Sequence, residues 1–444
     1  MKSIYQGIIR LLFLTSILIF NQASAQQSLS QQEQQLVEVI SADLPDTLNN
    51  LEQAVNINSG TMNFDGVKAV GELMIDQFEA IGFQTQWLAG DKFNRAGHVV
   101  ANFKSENPKA KKILMIGHLD TVFSKQDNFQ SYQQLSETEV AGPGIVDMKG
   151  GNAIILATLT ALKKAKLLDN LSIRVVMTGD EESSGRPLSL SKEAIIDGGK
   201  WADIAIGFED GDGDIKTAVV ARRGAIGWTL NVTGKPAHSS QIFRDDVGFG
   251  AIYESARILT EFRTQLSNEK NLTFNPGMIS GGTRVEEDRS NSTATAFGKA
   301  NVIAKQAIVR GDIRAISASQ LKKAKQVMQN IVQQNLAQTD AELIFDEGYP
   351  AMAPNQGNYQ LLALYSQVSQ DLGYDDVKAV NPRKAGAADI SFAADYVEMS
   401  LDGLGLMGRG GHTKGEVADL TSLQKNIEKA AILLHRLSGK VNEK

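Results

Sequence analysis

The sequence predicts an α/β protein in two domains: a large one built on buried strands, and a smaller α+β sandwich inserted into it. Three observations predict this. Apolar runs at residues 113–116, 171–178 and 203–208 read as buried strands, with helix-like segments around them. Residues 223–338 carry strands and helices in the order β-α-β-β-α, which suits a small sandwich. A chain of 444 residues also exceeds what one compact core serves.

In order along the chain, residues 1–25 read as a signal peptide. Lys2 and Arg10 give a positive start, residues 8–20 are mostly apolar, and Ala23-Ser24-Ala25 is a small-x-small cleavage signal. The apolar stretch is short for a mature membrane anchor. Cleavage after Ala25 predicts export to a bacterial periplasm, with secretion as the alternative. The chain has no cysteine, which excludes disulfides and thiolate metal ligands. A net charge of -6 without a basic block gives no reason to expect nucleic acid or an anionic membrane surface as partner.

The large domain is expected over residues 26–222 and 339–444. Its helices are predicted at 36–55, 65–81, 153–166, 359–372 and 420–437 from apolar positions at helical spacing, for example Val67, Val70, Leu73, Met74 and Phe78. Strands are predicted at 83–88 and 98–103, at the three apolar runs, and near 341–345 and 397–401. His98 in a strand and His435 in a helix read as structural. In the inserted domain, strands are expected at 225–232, 272–279, 293–303 and 307–313, with helices at 248–266 and 319–337.

Chemistry concentrates where these elements end. His118 and Asp120 follow the first apolar run in Gly117-His118-Leu119-Asp120-Thr121-Val122. Carboxyl ends of strands are where α/β folds hold their sites, and a histidine two residues from an aspartate suits a metal ligand oriented by a carboxylate. Asp147 lies among glycines in Gly142-Pro143-Gly144-Ile145-Val146-Asp147-Met148-Lys149-Gly150-Gly151. Asp180-Glu181-Glu182 follows the second run; three adjacent acids repel one another unless a cation joins them. Glu209 follows the third run, and His412 ends a glycine-rich loop. Imidazole and carboxylate donors without thiolate suit Zn²⁺ in a hydrolytic site. Five ligands are one too many for a single tetrahedral zinc and enough for two that share a carboxylate, about 3.5–4 Å apart.

The Gly-His-Leu-Asp-Thr-Val, Gly-Pro-Gly-Ile-Val-Asp-Met-Lys-Gly-Gly, Asp-Glu-Glu-Ser-Ser-Gly and Gly-His-Thr motifs, in this order, resemble those of the di-zinc peptidase and deacylase superfamily. That superfamily contains acetylornithine deacetylase, succinyl-diaminopimelate desuccinylase and glutamate carboxypeptidase, and the chain looks most like the folate-hydrolysing glutamate carboxypeptidases. The resemblance implies a central mixed sheet flanked by helices, with the inserted sandwich as lid and dimerisation domain. It implies two Zn²⁺ ions per subunit, replaceable by Co²⁺ or Mn²⁺. His118 and Glu209 would bind one, Glu182 and His412 the other, and Asp147 would bridge. Asp120 would orient His118. Glu181 would be the general base that takes a proton from the water shared by the metals and passes it to the leaving amine. A cis peptide is expected after Asp147.

The resemblance further implies that His238, in Gly234-Lys235-Pro236-Ala237-His238, helps stabilise the oxyanion across a homodimer interface. Asn301 and Arg314 would grip the substrate's C-terminal carboxylate, and Lys216 would touch the substrate. The implied function is a zinc carboxypeptidase that removes a C-terminal residue, glutamate among the candidates, from a peptide or N-acyl amino acid. The alternative is an N-acyl-amino-acid deacylase or dipeptidase with the same metals. Two departures bear on the residue preferred: Tyr349 stands where glutamate carboxypeptidases carry an arginine, and Ala385-Gly386-Ala387-Ala388-Asp389 replaces a glycine-rich Thr-Asp segment.

Overall fold

The computed structural model describes residues 29–289 and 291–439. The signal segment expected at residues 1–25 lies outside them.

A six-stranded mixed sheet organises the larger part of the chain. Its order is Gln84–Ala89, Gly97–Phe103, Leu171–Thr178, Lys111–His118, Ile204–Gly207 and Met399–Leu401. The first two strands are antiparallel to their neighbours, and the other four run parallel. The apolar runs are continuous because the inner strands are covered on both faces. Ile113 and Met115 face a core formed with helices Gln31–Val55, Gly150–Lys164 and Thr421–Leu437. Leu114 and Ile116 face a second core that includes Ile195 of helix Glu193–Trp201. That last helix escapes the sequence reading: with Gly198 and Gly199 in nine residues, its local propensity is poor. Ile145–Lys164 has the length and apolarity of a membrane span, but most of it is buried in the first core.

A second, antiparallel sheet has the order Thr273–Gly282, Gln306–Ala315, Gly224–Gly234 and Thr339–Phe345. Helices Gly250–Leu266 and Ala318–Val332 cover one face, and Trp228, Leu230, Ile258, Phe262, Val309 and Met328 form its core. Two expectations are corrected here. Thr339–Phe345 does not return to the large sheet: it pairs with Gly224–Gly234 from Thr339 opposite Gly234 to Phe345 opposite Trp228, so the small sheet reaches past residue 338. The strand expected at 293–303 stops at Phe297, in a two-stranded ribbon with Arg284–Asp288, because the chain turns after Gly298 with Val302 N–H bonded to the Lys299 carbonyl.

The chain crosses between the sheets twice, and the crossings pair with each other. Ala225 and Tyr349 exchange backbone hydrogen bonds of 3.1 and 3.0 Å, and Arg222 and Met352 exchange two of 3.0 Å.

Candidate metal centre

Three parallel strands lie side by side in the large sheet, and each delivers a site residue at its carboxyl end. His118 is the last residue of the middle strand, Glu181 and Glu182 follow Leu171–Thr178, and Glu209 follows Ile204–Gly207. Gly117 is required beside them, since a Cβ there would stand 2.3 Å from Asn152 Oδ1. Asn152 uses its Nδ2 to hold the His118 carbonyl at 2.6 Å.

The sequence-predicted ligands converge in two groups that share Asp147: His118, Asp147 and Glu209, and then Asp147, Glu182 and His412. His118 Nε2 lies 3.0 Å from Asp147 Oδ1 and 3.7 Å from Glu209 Oε1. His412 Nε2 lies 2.8 Å from Asp147 Oδ2 and 3.2 Å from Glu182 Oε2. Each Asp147 oxygen thus serves one histidine, and the Asp147-Met148 peptide is cis.

The loop that carries Asp147 is held by a residue the sequence reading passed over. Glu416 is buried, and its carboxylate accepts N–H groups from Gly144, Val146 and Asp147 at 2.9, 2.8 and 3.1 Å. Gly144 turns the chain there with φ +71°. Glu416 and His412 belong to one loop, held by strand Val417–Asp419 pairing with Glu139–Ala141. The signal was available: a glutamate four residues after the last histidine in Gly411-His412-Thr413-Lys414-Gly415-Glu416.

Asp120 plays a broader part than orienting a histidine. His118 Nδ1 is 2.9 Å from the Asp120 backbone carbonyl and 3.5 Å from its carboxylate, so the carbonyl is the direct acceptor. The Asp120 carboxylate accepts the N–H groups of Glu181 and Glu182 at 3.0 and 3.1 Å and the Thr61 hydroxyl at 2.6 Å. Asp402 acts similarly for Glu209: it accepts the Glu209 N–H at 3.3 Å and pairs with buried Arg222 at 2.7 Å.

The electrostatics call for cations. Burial pushes the carboxyls of Glu181 and Glu209 well above the ordinary range, and neighbouring carboxylates push the same way. Burial also raises Glu182, and the pairing with His412 opposes it. Glu181 is half-buried by its surface, yet the protein packed around its carboxyl keeps burial dominant. Burial would raise Asp147 too, but hydrogen bonds from both histidines hold it below the usual range. His118 is lifted well above an ordinary imidazole against the pull of burial, and its hydrogen bonds to Asp120 and Asp147 win. His412 is raised to about 11 by Asp147 and Glu182. Glu182 Oε1 is buried without a hydrogen-bond partner among the described residues. Nitrogen and oxygen donors, crowded carboxylates and an orphaned oxygen fit divalent cations held by donor groups that share Asp147.

The remaining predicted residues lie outside these two donor groups: His238 and Asn301 are neighbours, and Arg314 and Lys216 stand elsewhere. His238 is exposed, with Nδ1 2.8 Å from Ser240 Oγ. Asn301 is its neighbour through the Ser239 N–H to Asn301 carbonyl bond of 2.9 Å. Arg314 stands at the other end of the 10-residue strand Gln306–Ala315, beside the crossings and opposite Ala225 and Thr273, with Asp312 at 2.9 Å. Lys216 pairs on the surface with Asp375 at 2.9 Å, and the residues lining its small cavity include none of the predicted site residues. His98 is a core histidine: buried, with Nε2 2.8 Å from the Ser191 carbonyl.

Residues 114–436 match the profile of peptidase family M20/M25/M40. The chain belongs to that family. It is accordingly a hydrolase of metallopeptidase type. The chain is 26% identical over 410 residues to carboxypeptidase G2 of Pseudomonas sp. (strain RS-16), covering 91% of this chain and 92% of that relative. It is 26% identical over 230 residues to acetylornithine deacetylase of Pasteurella multocida, covering 48% of this chain and 56% of that relative. Among solved structures, aminopeptidase PepT of Bacillus cereus shares the fold with a TM-score of 0.67 at 16% identity, covering 88% of this chain and 98% of that one.

Proposed function

We propose that this family M20/M25/M40 member is an exported zinc carboxypeptidase that hydrolyses the amide bond to a C-terminal amino acid. The observation that carries the reading is the pair of donor groups sharing Asp147, with Glu181 in the loop beside them. His118, Asp147 and Glu209 would hold one zinc ion, and Asp147, Glu182 and His412 the other. When bound, the ions supply a polarised, acidified water and positive charge for the developing oxyanion. Glu181 takes a proton from the attacking water and delivers it to the amide nitrogen as the bond breaks.

Arg314 receives the substrate carboxylate in this reading. Arg314 and Arg383 both lie close enough to Arg223 for their charges to act on it, and Asp312 is the acid that opposes them. The cluster therefore favours an anionic group. A cleft of about 760 Å³ includes Glu182 in its lining and mixes apolar Met62, Phe64 and Val122 with polar Asn63, Asp65 and Lys125. Its apolar side chains can take an acyl group, which keeps the deacylase reading alongside the carboxypeptidase one.

His238 and Asn301 complete the site from a second copy. A 10-residue strand spans about 30 Å at the usual rise, so one protomer's Asn301 and Arg314 stand too far apart for one small substrate. The homodimer reading is supported by the exposed side chains of Ile252, Tyr253, Ile279 and Phe297 and by the edge strand Thr273–Gly282.

The test is hydrolysis of N-acyl-glutamates, other N-acyl amino acids and free dipeptides by the zinc-loaded mature chain. Cleavage of C-terminal glutamate supports the carboxypeptidase reading. Cleavage of free dipeptides alone rejects it, and no amide hydrolysis in any class rejects the enzyme assignment of this centre.

A further inference from the structure

The loop that carries Glu181 is fixed by side chains on three sides. On one, Asp120 accepts the N–H groups of Glu181 and Glu182. On the second, Asp180 Oδ2 accepts the Gly185 N–H at 2.8 Å and the Ser191 hydroxyl at 2.6 Å. On the third stands Tyr349, whose hydroxyl oxygen is 2.9 Å from Ser184 Oγ, 3.0 Å from Asp389 Oδ1 and 3.2 Å from the Glu181 carbonyl oxygen.

The hydrogen-bond inventory shows what this phenol does. It has one proton to give and lone pairs to receive. The Ser184 hydroxyl is the neighbour able to donate to it, and the phenol proton is shared between Asp389 and the Glu181 carbonyl. Tyr349 thereby touches the loop at both Glu181 and Ser184. Its own anchor is rigid: Asp389 is buried and paired with Lys192 at 3.0 Å, and Lys192 also holds Asp180 at 2.9 Å, with all three carrying almost no exposed surface. The Lys192 ammonium lies 5.6 Å from the Tyr349 ring centroid, a cation–π contact. Asp180, Lys192, Asp389 and Tyr349 form a closed circuit under the loop. The main chain of Tyr349 belongs to the paired crossings between the two sheets through Ala225.

We propose that Tyr349 is a positioning residue for Glu181: its hydroxyl locks the 180–185 loop onto the Asp389–Lys192–Asp180 circuit and ties that loop to the crossings that carry the smaller sheet. This rests on Glu181 acting as the base. It also gives the tyrosine a task distinct from gripping substrate, since its hydroxyl is committed to the loop. A base displaced by a fraction of an ångström loses rate while substrate binding stays, so the signature is a split between kcat and KM.

The experiment compares the wild-type enzyme with Tyr349→Phe, which keeps the ring over Lys192 and removes only the hydroxyl. Ser184→Ala, which removes one of the three contacts, is measured alongside. Readouts are kcat, KM, metal content and amide hydrogen exchange of residues 179–186 in the metal-free protein. Tyr349→Phe, which removes all three contacts of the hydroxyl, is expected to lower kcat about tenfold. KM should stay within about twofold, metal should be retained, and the loop amides should exchange faster; Ser184→Ala should show the same pattern, smaller. Unchanged kcat with unchanged exchange overturns the proposal. A raised KM at unchanged kcat also overturns it and makes Tyr349 a substrate contact. If the wild-type enzyme hydrolyses no amide, the reading of Glu181 as base fails, and faster exchange in Tyr349→Phe then marks the brace as structural only.

Discussion

The two sheets hold their functional residues in opposite ways. In the large sheet, each candidate carboxylate donor and Glu181 lies in a backbone stretch that a second carboxylate fixes: Asp120 for Glu181 and Glu182, Asp402 for Glu209, and Glu416 for Asp147. The small sheet carries His238 and Asn301 exposed at one end and Arg314, with 40% of its side chain exposed, at the other. The donors of the first region all come from one chain. The second region serves the proposed docking of substrate and of a second copy. Pre-organisation belongs to the first, and assembly to the second.

Breaking the first region should have the largest effect. Asp147→Ala removes the one carboxylate common to both donor groups. The expected result is loss of both metals and of all measurable turnover, read by metal analysis and an activity assay. Retention of two metals would separate the groups and end the bridging assignment.

The second region sharpens the comparison. His238→Ala should lower kcat by about a hundredfold, the usual scale for one oxyanion donor. Mixing it with Asp147→Ala should restore part of the activity, because a mixed dimer would pair an intact metal centre with an intact His238 from the other copy. No restoration after subunit exchange places His238 and the centre in one chain. Arg314→Lys should raise KM about tenfold with little change in kcat, because a lysine cannot grip a carboxylate bidentately.

The smallest effect is a pH slope. In the metal-free protein the His118 proton affinity is lifted well above 6.5 and that of His412 to about 11, so both are protonated near neutral pH. Their raised values stabilise the metal-free fold fully below about 6.5, and the His412 contribution is lost as pH rises through about 11, that of His118 as pH rises through its own raised value. Metal needs the neutral imidazoles, so binding must release protons and tighten as pH rises. Calorimetry in two buffers of different ionisation enthalpy at one pH should give a net proton release; zero release contradicts the assignment of the histidines as ligands.

Much of this was legible in the sequence, for a physical reason. The apolar runs are long enough to read because inner strands are buried on both faces, and His118 and Glu209 stand within two residues of where a run stops, while glycine-rich loops marked Asp147 and His412. What escaped reading was set by contacts far apart in the chain. Glu416 acts on Gly144 and Val146 across some 270 positions. Lys192, in an unremarkable polar stretch, is fully buried because Asp180 and Asp389 both need its charge. The placement of Thr339–Phe345 depended on pairing with Gly224–Gly234, which no local pattern reveals. Tyr349 drew notice in the sequence as a departure bearing on the residue preferred, and its hydrogen bonds to the Glu181 carbonyl and Asp389, which carry the proposal of a brace, could not be read there.

The most direct test of the central claim is Glu181→Gln, assayed for metal content and turnover together. The account predicts zinc bound as in the wild-type enzyme and kcat lower by about a thousandfold or more, since the amide keeps the shape of the side chain and cannot carry the proton. Turnover within a few fold of wild type, with zinc retained, would contradict it and remove Glu181 from the chemistry.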